Sequence, residues 1–214
     1  MKFVPNWKHF SGEKYENKTT AYVINLERRK DRLSTFMKNF PLNNVNRYNA
    51  YEGKINENDF LSPGAYGCAR SHYDLWNLCV EKNVPIVIFE DDAQFKFNFN
   101  EIFHKIESTN FFNIDSTLFL GGGPRGFGSY RKKNINEFVS LKLPRNHWLR
   151  CECYIIFPKL ASVLISEYKF HKPIDIFINE YPNIYMLNSE ITYPGNSSID
   201  SDTISIKSAI SSWL

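Results

Sequence analysis

The chain has 214 residues, 43% hydrophobic and 23% charged, with 26 Lys and Arg against 23 Asp and Glu for a formal net charge of +3. That profile describes one well-filled globular domain spanning residues 1–214 and excludes a disordered or low-complexity chain. Its basic residues fall in short clusters, Arg28 to Arg32 and Arg131 to Lys133, too small for a nucleic-acid stripe and better matched to an anionic small molecule.

No run approaches the roughly 20 apolar residues of a membrane span, and the opening residues lack a signal-peptide core. The expectation is therefore a cytoplasmic chain with no transmembrane segment, open to peripheral contact with a membrane face. The four cysteines fit this. Cys68 and Cys79 fall about 16 Å apart on one helix, too far to bond, and Cys151 and Cys153 lack the spacing of structural zinc ligands, so all are expected to be buried reduced thiols. Asn17 and Asn196 open glycosylation sequons, which carry no weight without an export signal.

In chain order, AYVINL (21–26) is a short β-rich run. Leu33, Phe36, Met37 and Phe40 then repeat with helical spacing, making a β-α unit whose turn carries Arg28, Arg29 and Arg32. NRYNAY (46–51) offers a second strand. Ser62 and Pro63 are a cap and first turn for a helix with Cys68, His72, Leu75 and Cys79 on one face. A strand follows at 84–89, then a helix near 100–107, the strand TLFLG (117–121) and the glycine turn 121–128. Later come FVSLKL (138–143), CECYIIF (151–157), helices entered through Pro158 and Pro173, and the strand IYMLN (184–188). Early alternation followed by mixing predicts an α/β sandwich with a mostly parallel central sheet and less regular strands toward the C-terminus.

VPIVIFEDDAQF (84–95) ends a buried strand in Glu90, Asp91 and Asp92. Ligands of such sheets sit outside the carboxyl ends of the strands, so these acids aim into the expected crevice. Strand alternation puts Glu90 and Asp92 on one side and Asp91 on the other. A carboxylate pair suits a hard cation, Mn²⁺ or Mg²⁺, that keeps positions open for phosphate oxygens. Arginine forks on the turn after the first strand match a diphosphate. Metal ligands and anion ligands at one sheet edge together point to a nucleotide diphosphate.

VINLERRKDRL (23–33), GAYGCARSHYDLW (64–76) with IVIFEDDAQF (86–95), KPIDIFI (172–178) and SDT (201–203) resemble, in order and spacing, glycosyltransferase family 25, which includes bacterial lipooligosaccharide galactosyltransferases and collagen galactosyltransferases. The resemblance implies a GT-A-like nucleotide-sugar-binding fold, a UDP-sugar donor, a divalent metal at the acidic motif and transfer with inversion. By position it brings in Asn25, Arg29, Arg32, His72, Asp91 and Asp202 as donor-binding residues, Glu90 and Asp92 as metal ligands, and Asp175 in the Pro-Ile-Asp motif. Gly67, Cys68 and Ser71 belong to the second motif. Ala65 stands where family members commonly carry Glu, and LGGGPRGFGSY matches poorly, which leaves the acceptor open.

The expected function is metal-dependent, inverting transfer of a hexose, galactose or glucose, from a UDP-sugar to a hydroxyl of a glycan or glycosylated protein. The alternative is a non-catalytic carbohydrate-binding or adhesion module on the same fold. A metal-dependent phosphotransferase or hydrolase is disfavoured by the missing phosphate-binding loop and His-rich cluster. An inverting displacement needs one carboxylate to take the acceptor proton. With the metal-binding acids beside the diphosphate, the contenders are Glu152, Asp175, Glu180 and Asp202. Asp175 is the choice, at a helix start that holds it rigidly, with Asp202 second.

Overall fold

The structure, a computed structural model, describes Lys14 and residues 16–55, 57–108, 116–121, 132–134, 139–142, 151–181, 184–187 and 191–194. It opens with β1 (Thr20–Asn25), α1 (Lys30–Asn39), β2 (Val45–Asn49), α2 (Pro63–Lys82), β3 (Ile86–Glu90), β4 (Ala93–Phe95) and α3 (Phe99–Ser108). It continues through β5 (Thr117–Phe119), β6 (Lys132–Asn134), β7 (Val139–Lys142), β8 (Cys153–Ile156), α4 (Pro158–Glu167), α5 (Ile174–Asn179), β9 (Ile184–Leu187) and β10 (Thr192–Pro194).

Eight strands form one sheet in the order β2-β1-β3-β8-β5-β9-β7-β6, and β10 pairs with β4 in a second, two-stranded sheet. Pairing of β1 with β2 and β3 is parallel, as is β5 with β9, while β8 and β7 run against their neighbours. Six strands of the large sheet therefore point one way, as expected of an α/β sandwich with a mostly parallel central sheet. What the sequence did not reveal is that β8 enters at the centre, between β3 and β5, rather than at an edge. Because β8 is reversed, its first residues reach the edge where β1, β2 and β3 end, and the Glu90 amide donates to the Glu152 carbonyl at 3.0 Å.

Alternation along the strands divides the core in two. Val87, Phe89, Ala21 and Val23 face α1 and α3, packing with Phe36, Phe40, Phe95, Phe99 and Phe103. Ile86, Ile88, Ile24, Tyr154 and Ile156 face α2, α4 and α5, packing with Leu75, Trp76, Leu160 and Ile178. The sheet is thus buried on both sides, which is why its strands read as continuous apolar runs. Of the face predicted for α1, Phe36 and Phe40 are buried, but Met37 turns to solvent.

Helix α2 starts where the sequence placed it, with Pro63 in the first turn and the Ser62 hydroxyl accepting from the Ala65 amide at 3.3 Å. The segment leading into it lies on the helix itself. A Cβ on Gly67 would stand 2.4 Å from the Tyr51 carbonyl oxygen, so only glycine admits this approach. One turn on, Ser71 accepts from the Tyr51 amide and donates to the Gly67 carbonyl, both at 2.8 Å. Gly121 likewise has Thr192 against it, with a Cβ position 2.0 Å from the threonine hydroxyl oxygen. Close chain packing accounts for that glycine, whereas the rest of the glycine turn lies outside the described residues.

The cysteines are free, with Cys79, Cys151 and Cys153 buried, as expected. Asn17 is also buried, its amide donating to the Thr19 and Asn44 carbonyls, so it is occupied as a structural bridge. Among the described residues no helix is long and apolar enough to cross a membrane.

Candidate active site at the carboxyl edge of the sheet

Asn25, Asn49 and Glu90 close β1, β2 and β3 at one edge, and Cys151 and Glu152 join them at the start of the reversed β8. Glu90 continues the even-numbered face of Ile86 and Ile88, so it looks toward α2. There it meets His72, whose Nε2 lies 3.2 Å from Glu90 Oε1, and Cys68, whose Sγ lies 3.9 Å from the same oxygen. Positions 68 and 72 are one turn apart on α2, which is how the helix presents both to one carboxylate.

The strand stops at Glu90, and Asp91 and Asp92 form the turn into β4. Alternation therefore does not extend to Asp92 as the sequence suggested. Arg32 of α1 reaches both aspartates, 2.6 Å from Asp91 Oδ1 and 3.6 Å from Asp92 Oδ2. Asp91 gives its other oxygen to Asn25 Nδ2 at 2.6 Å. Asn25 spends its second amide hydrogen on the Arg29 carbonyl and accepts from Arg47 Nε at 3.0 Å. Each polar atom of Asn25 is thus engaged by the protein, and both Asp91 oxygens are as well. These two, expected to touch the donor, bond one another and the arginines at the edge of the sheet.

Arg29 caps α1, and its guanidinium grips Asp31, with Nε and a terminal nitrogen at 3.1 and 2.9 Å from the two carboxylate oxygens. That hydrogen bond first, with the charge of Arg29, holds the Asp31 carboxyl down at about 2. Arg47 is a cation that sequence reasoning passed over. Its only signal was a charged residue in a strand beside the arginine-bearing turn.

Asp92 differs from its neighbours. The residue is half-buried, and its Oδ1, which is shielded from solvent, has no hydrogen-bond partner among the described residues. Burial, and after it the charge of Glu90, push its carboxyl up to about 7. Asp175, at the start of α5, arrives from the second half of the chain and accepts from the Ile176 amide at 2.8 Å. Burial raises it to about 6, with the charge of Glu90 adding to the shift. The structure thus brings Asp175 into the electrostatic reach of the acidic motif. Glu152 is buried at the same edge, whereas Glu180 is exposed and paired with Lys172 at 2.6 Å. Asp202 lies outside the described residues.

Two sets of side chains compete as cation ligands. Cys68, His72 and Glu90 bring one ligand atom each within 4.8 Å of one another. Burial first, then Glu90, pushes the Cys68 thiol well above its ordinary value in the metal-free protein. Glu90 with Asp92 offers oxygen atoms only, one of them buried with no donor among the described residues, and that donor chemistry fits a hard divalent cation.

Residues 18–121 match the model of glycosyltransferase family 25, described as an LPS biosynthesis protein family. Over that segment the chain is similar to this family, in line with the motifs read from its sequence. A curated relative, "Putative glycosyltransferase R655" of Acanthamoeba polyphaga mimivirus, is 30% identical over 41% of this chain, and the match spans about a third of that protein, 32%. Among solved structures, a "Putative Glucose-1-Phosphate Thymidylyltransferase" from Bacillus anthracis, crystallised with a sucrose, overlaps 69% of this chain and 56% of its own at 14% identity and a TM-score of 0.36. At that score the overlap carries no argument about fold or chemistry.

Proposed function

We propose that the protein is an inverting glycosyltransferase that moves a hexose from a UDP-sugar to a hydroxyl of a glycan or glycosylated protein. The observation that carries this reading is the convergence of Glu90, Asp92 and Asp175 at the carboxyl edge of the sheet, with a buried Asp92 oxygen that lacks a partner among the described residues. The match of residues 18–121 to a glycosyltransferase family supports it from the sequence side. Asp92 and Glu90 would hold Mn²⁺ or Mg²⁺, which when bound supplies positive charge for a departing diphosphate.

The chain's own residues do the rest. Asp91, fixed by Asn25 and Arg32, sets the turn that places Asp92 beside Glu90. Asp175 accepts the proton of the acceptor hydroxyl as that oxygen forms its bond to the anomeric carbon. The bond from that carbon to the diphosphate oxygen breaks, and UDP leaves with the electron pair. A base raised toward neutrality suits the task better than an ordinary aspartate, because it binds the transferred proton more firmly while remaining ionised at working pH.

A carbohydrate-binding module would have no use for a half-buried acid of raised pKa beside a second one, so that alternative lacks an observation in its favour. The test is incubation with a panel of UDP-hexoses, acceptor glycans and Mn²⁺, following UDP release and the configuration of the product. Inverted product supports the proposal. Binding of glycans with no turnover of any donor would favour the module.

A further inference from the structure

Behind Glu90 stand three side chains that are each 0% exposed: His72, Tyr154 and Trp76. The Trp76 indole nitrogen donates to the Tyr154 hydroxyl at 3.0 Å, and the same hydroxyl lies 2.8 Å from His72 Nδ1. On the far side of the imidazole, Nε2 lies 3.2 Å from Glu90 Oε1. The His72 and Tyr154 rings stack at 5.6 Å with 19° between their planes, so the line of groups is held by packing as well. Residues 72 and 76 are a turn apart on α2, while Tyr154 sits in β8 opposite Ile88, two residues before Glu90 in β3.

Hydrogen bookkeeping along this line has one solution. An indole nitrogen only donates, so it occupies a lone pair of the Tyr154 oxygen. Burial keeps that phenol protonated by pushing it well above its usual range. Among the described residues, the acceptor within reach of its hydrogen is His72 Nδ1. A buried hydroxyl that donated to nothing would keep its full desolvation cost, so the hydrogen goes to Nδ1, and Nδ1 carries none of its own. The hydrogen of the imidazole is then on Nε2 and points at Glu90 Oε1.

We infer that Tyr154, backed by Trp76, is a positioning residue that fixes His72 in its Nε2–H tautomer, so that His72 grips one oxygen of Glu90 and leaves the other facing the donor site. Cys68 approaches the same Oε1, and no described side chain donates to Oε2, so the two oxygens are already divided between protein and ligand. His72 is on this view a donor to a ligand-binding carboxylate, not itself a cation ligand. The inference rests on the proposed role of Glu90. Partners behind a ligand are the part of a site that orients it, and losing one weakens metal affinity about 10- to 100-fold.

The experiment is a long-range proton–nitrogen NMR spectrum of the ¹⁵N-labelled, metal-free protein, followed by Mn²⁺ titrations of variants. The spectrum should show His72 Nε2 as the protonated nitrogen and Nδ1 as the acceptor; a hydrogen on Nδ1 overturns the inference. Tyr154→Phe keeps the stacked ring and should weaken Mn²⁺ binding about tenfold. His72→Gln, which retains an N–H for Glu90, should bind Mn²⁺ better than His72→Met, a variant with no donor. Unchanged affinity in Tyr154→Phe, or equal loss in both His72 variants, also overturns it. If the wild type binds no Mn²⁺, the cation reading of Glu90 fails, and the nitrogen spectrum still decides the tautomer.

Discussion

At the scale of single residues, three carboxylates at one edge divide into different roles because their neighbours differ. Asp91 has both oxygens engaged by Asn25 and Arg32, while Asp92 keeps a buried oxygen without a partner among the described residues and is raised to about 7. Asp175 is raised to about 6, chiefly by burial. As the base it must be ionised to act, so kcat/KM at saturating cation should fall as pH drops through about 6. Asp175→Asn should lower transfer about 100-fold, typical of a lost general base, with UDP-sugar binding near wild type. Pre-steady-state transfer and donor titration on the same variant check both halves. A collapse of donor binding would make Asp175 a contact to the donor sugar instead. Glu90, Asp91 and Asp92 were legible in the sequence because they end an apolar run, and Asp175 because it follows Pro173 at a helix start. Their division of labour was not, since it depends on Asn25 and Arg32 arriving from another strand and helix.

At the scale of elements, α2 explains why one motif contains two kinds of residue. Cys68 and His72 turn toward Glu90, whereas Gly67 and Ser71, one position earlier on each turn, hold the segment after β2. Gly67→Ala would drive a methyl against the Tyr51 carbonyl and should destabilise the protein by about 1–3 kcal/mol through overpacking. Ser71→Ala leaves the Tyr51 amide without its acceptor and should cost about 1–3 kcal/mol. Urea denaturation measures both, and a change under about 0.5 kcal/mol in either would show that the loop is not pinned there. The helix, its Ser62 cap and its buried face were readable from spacing alone. Tyr154 was not, because a tyrosine in an apolar strand reads as core until the helix across from it supplies an indole and an imidazole.

At the scale of the whole molecule, two halves of the chain meet at one edge because β8 is threaded backward between β3 and β5. Hydrophobic runs identified the strands but carried no information on their order, which is set by which faces fit together once the helices are packed. The site's acids carry a stability cost that follows from the same burial. A carboxyl raised in the folded state costs nothing below its ordinary value near 4 and costs most above its folded value. The contribution of Asp92 therefore turns unfavourable as pH rises from about 4 to about 7. In thermal melts of metal-free protein, Asp92→Asn should gain on the wild type as pH rises across that window, and Mn²⁺ should narrow the difference. A gap that stays constant with pH would mean that Asp92 is not held protonated by its surroundings.

The central claim is that Asp92 and Glu90 make this edge a cation-dependent site for a nucleotide-sugar diphosphate. Calorimetric titration of UDP-hexose into the wild type and Asp92→Ala, each with and without Mn²⁺, tests it most directly. The expected result is saturable binding by the wild type only when Mn²⁺ is present, and none by Asp92→Ala although its circular dichroism and melting remain those of a folded protein. Donor binding of equal strength with and without the cation, or undiminished binding by Asp92→Ala, would contradict the account.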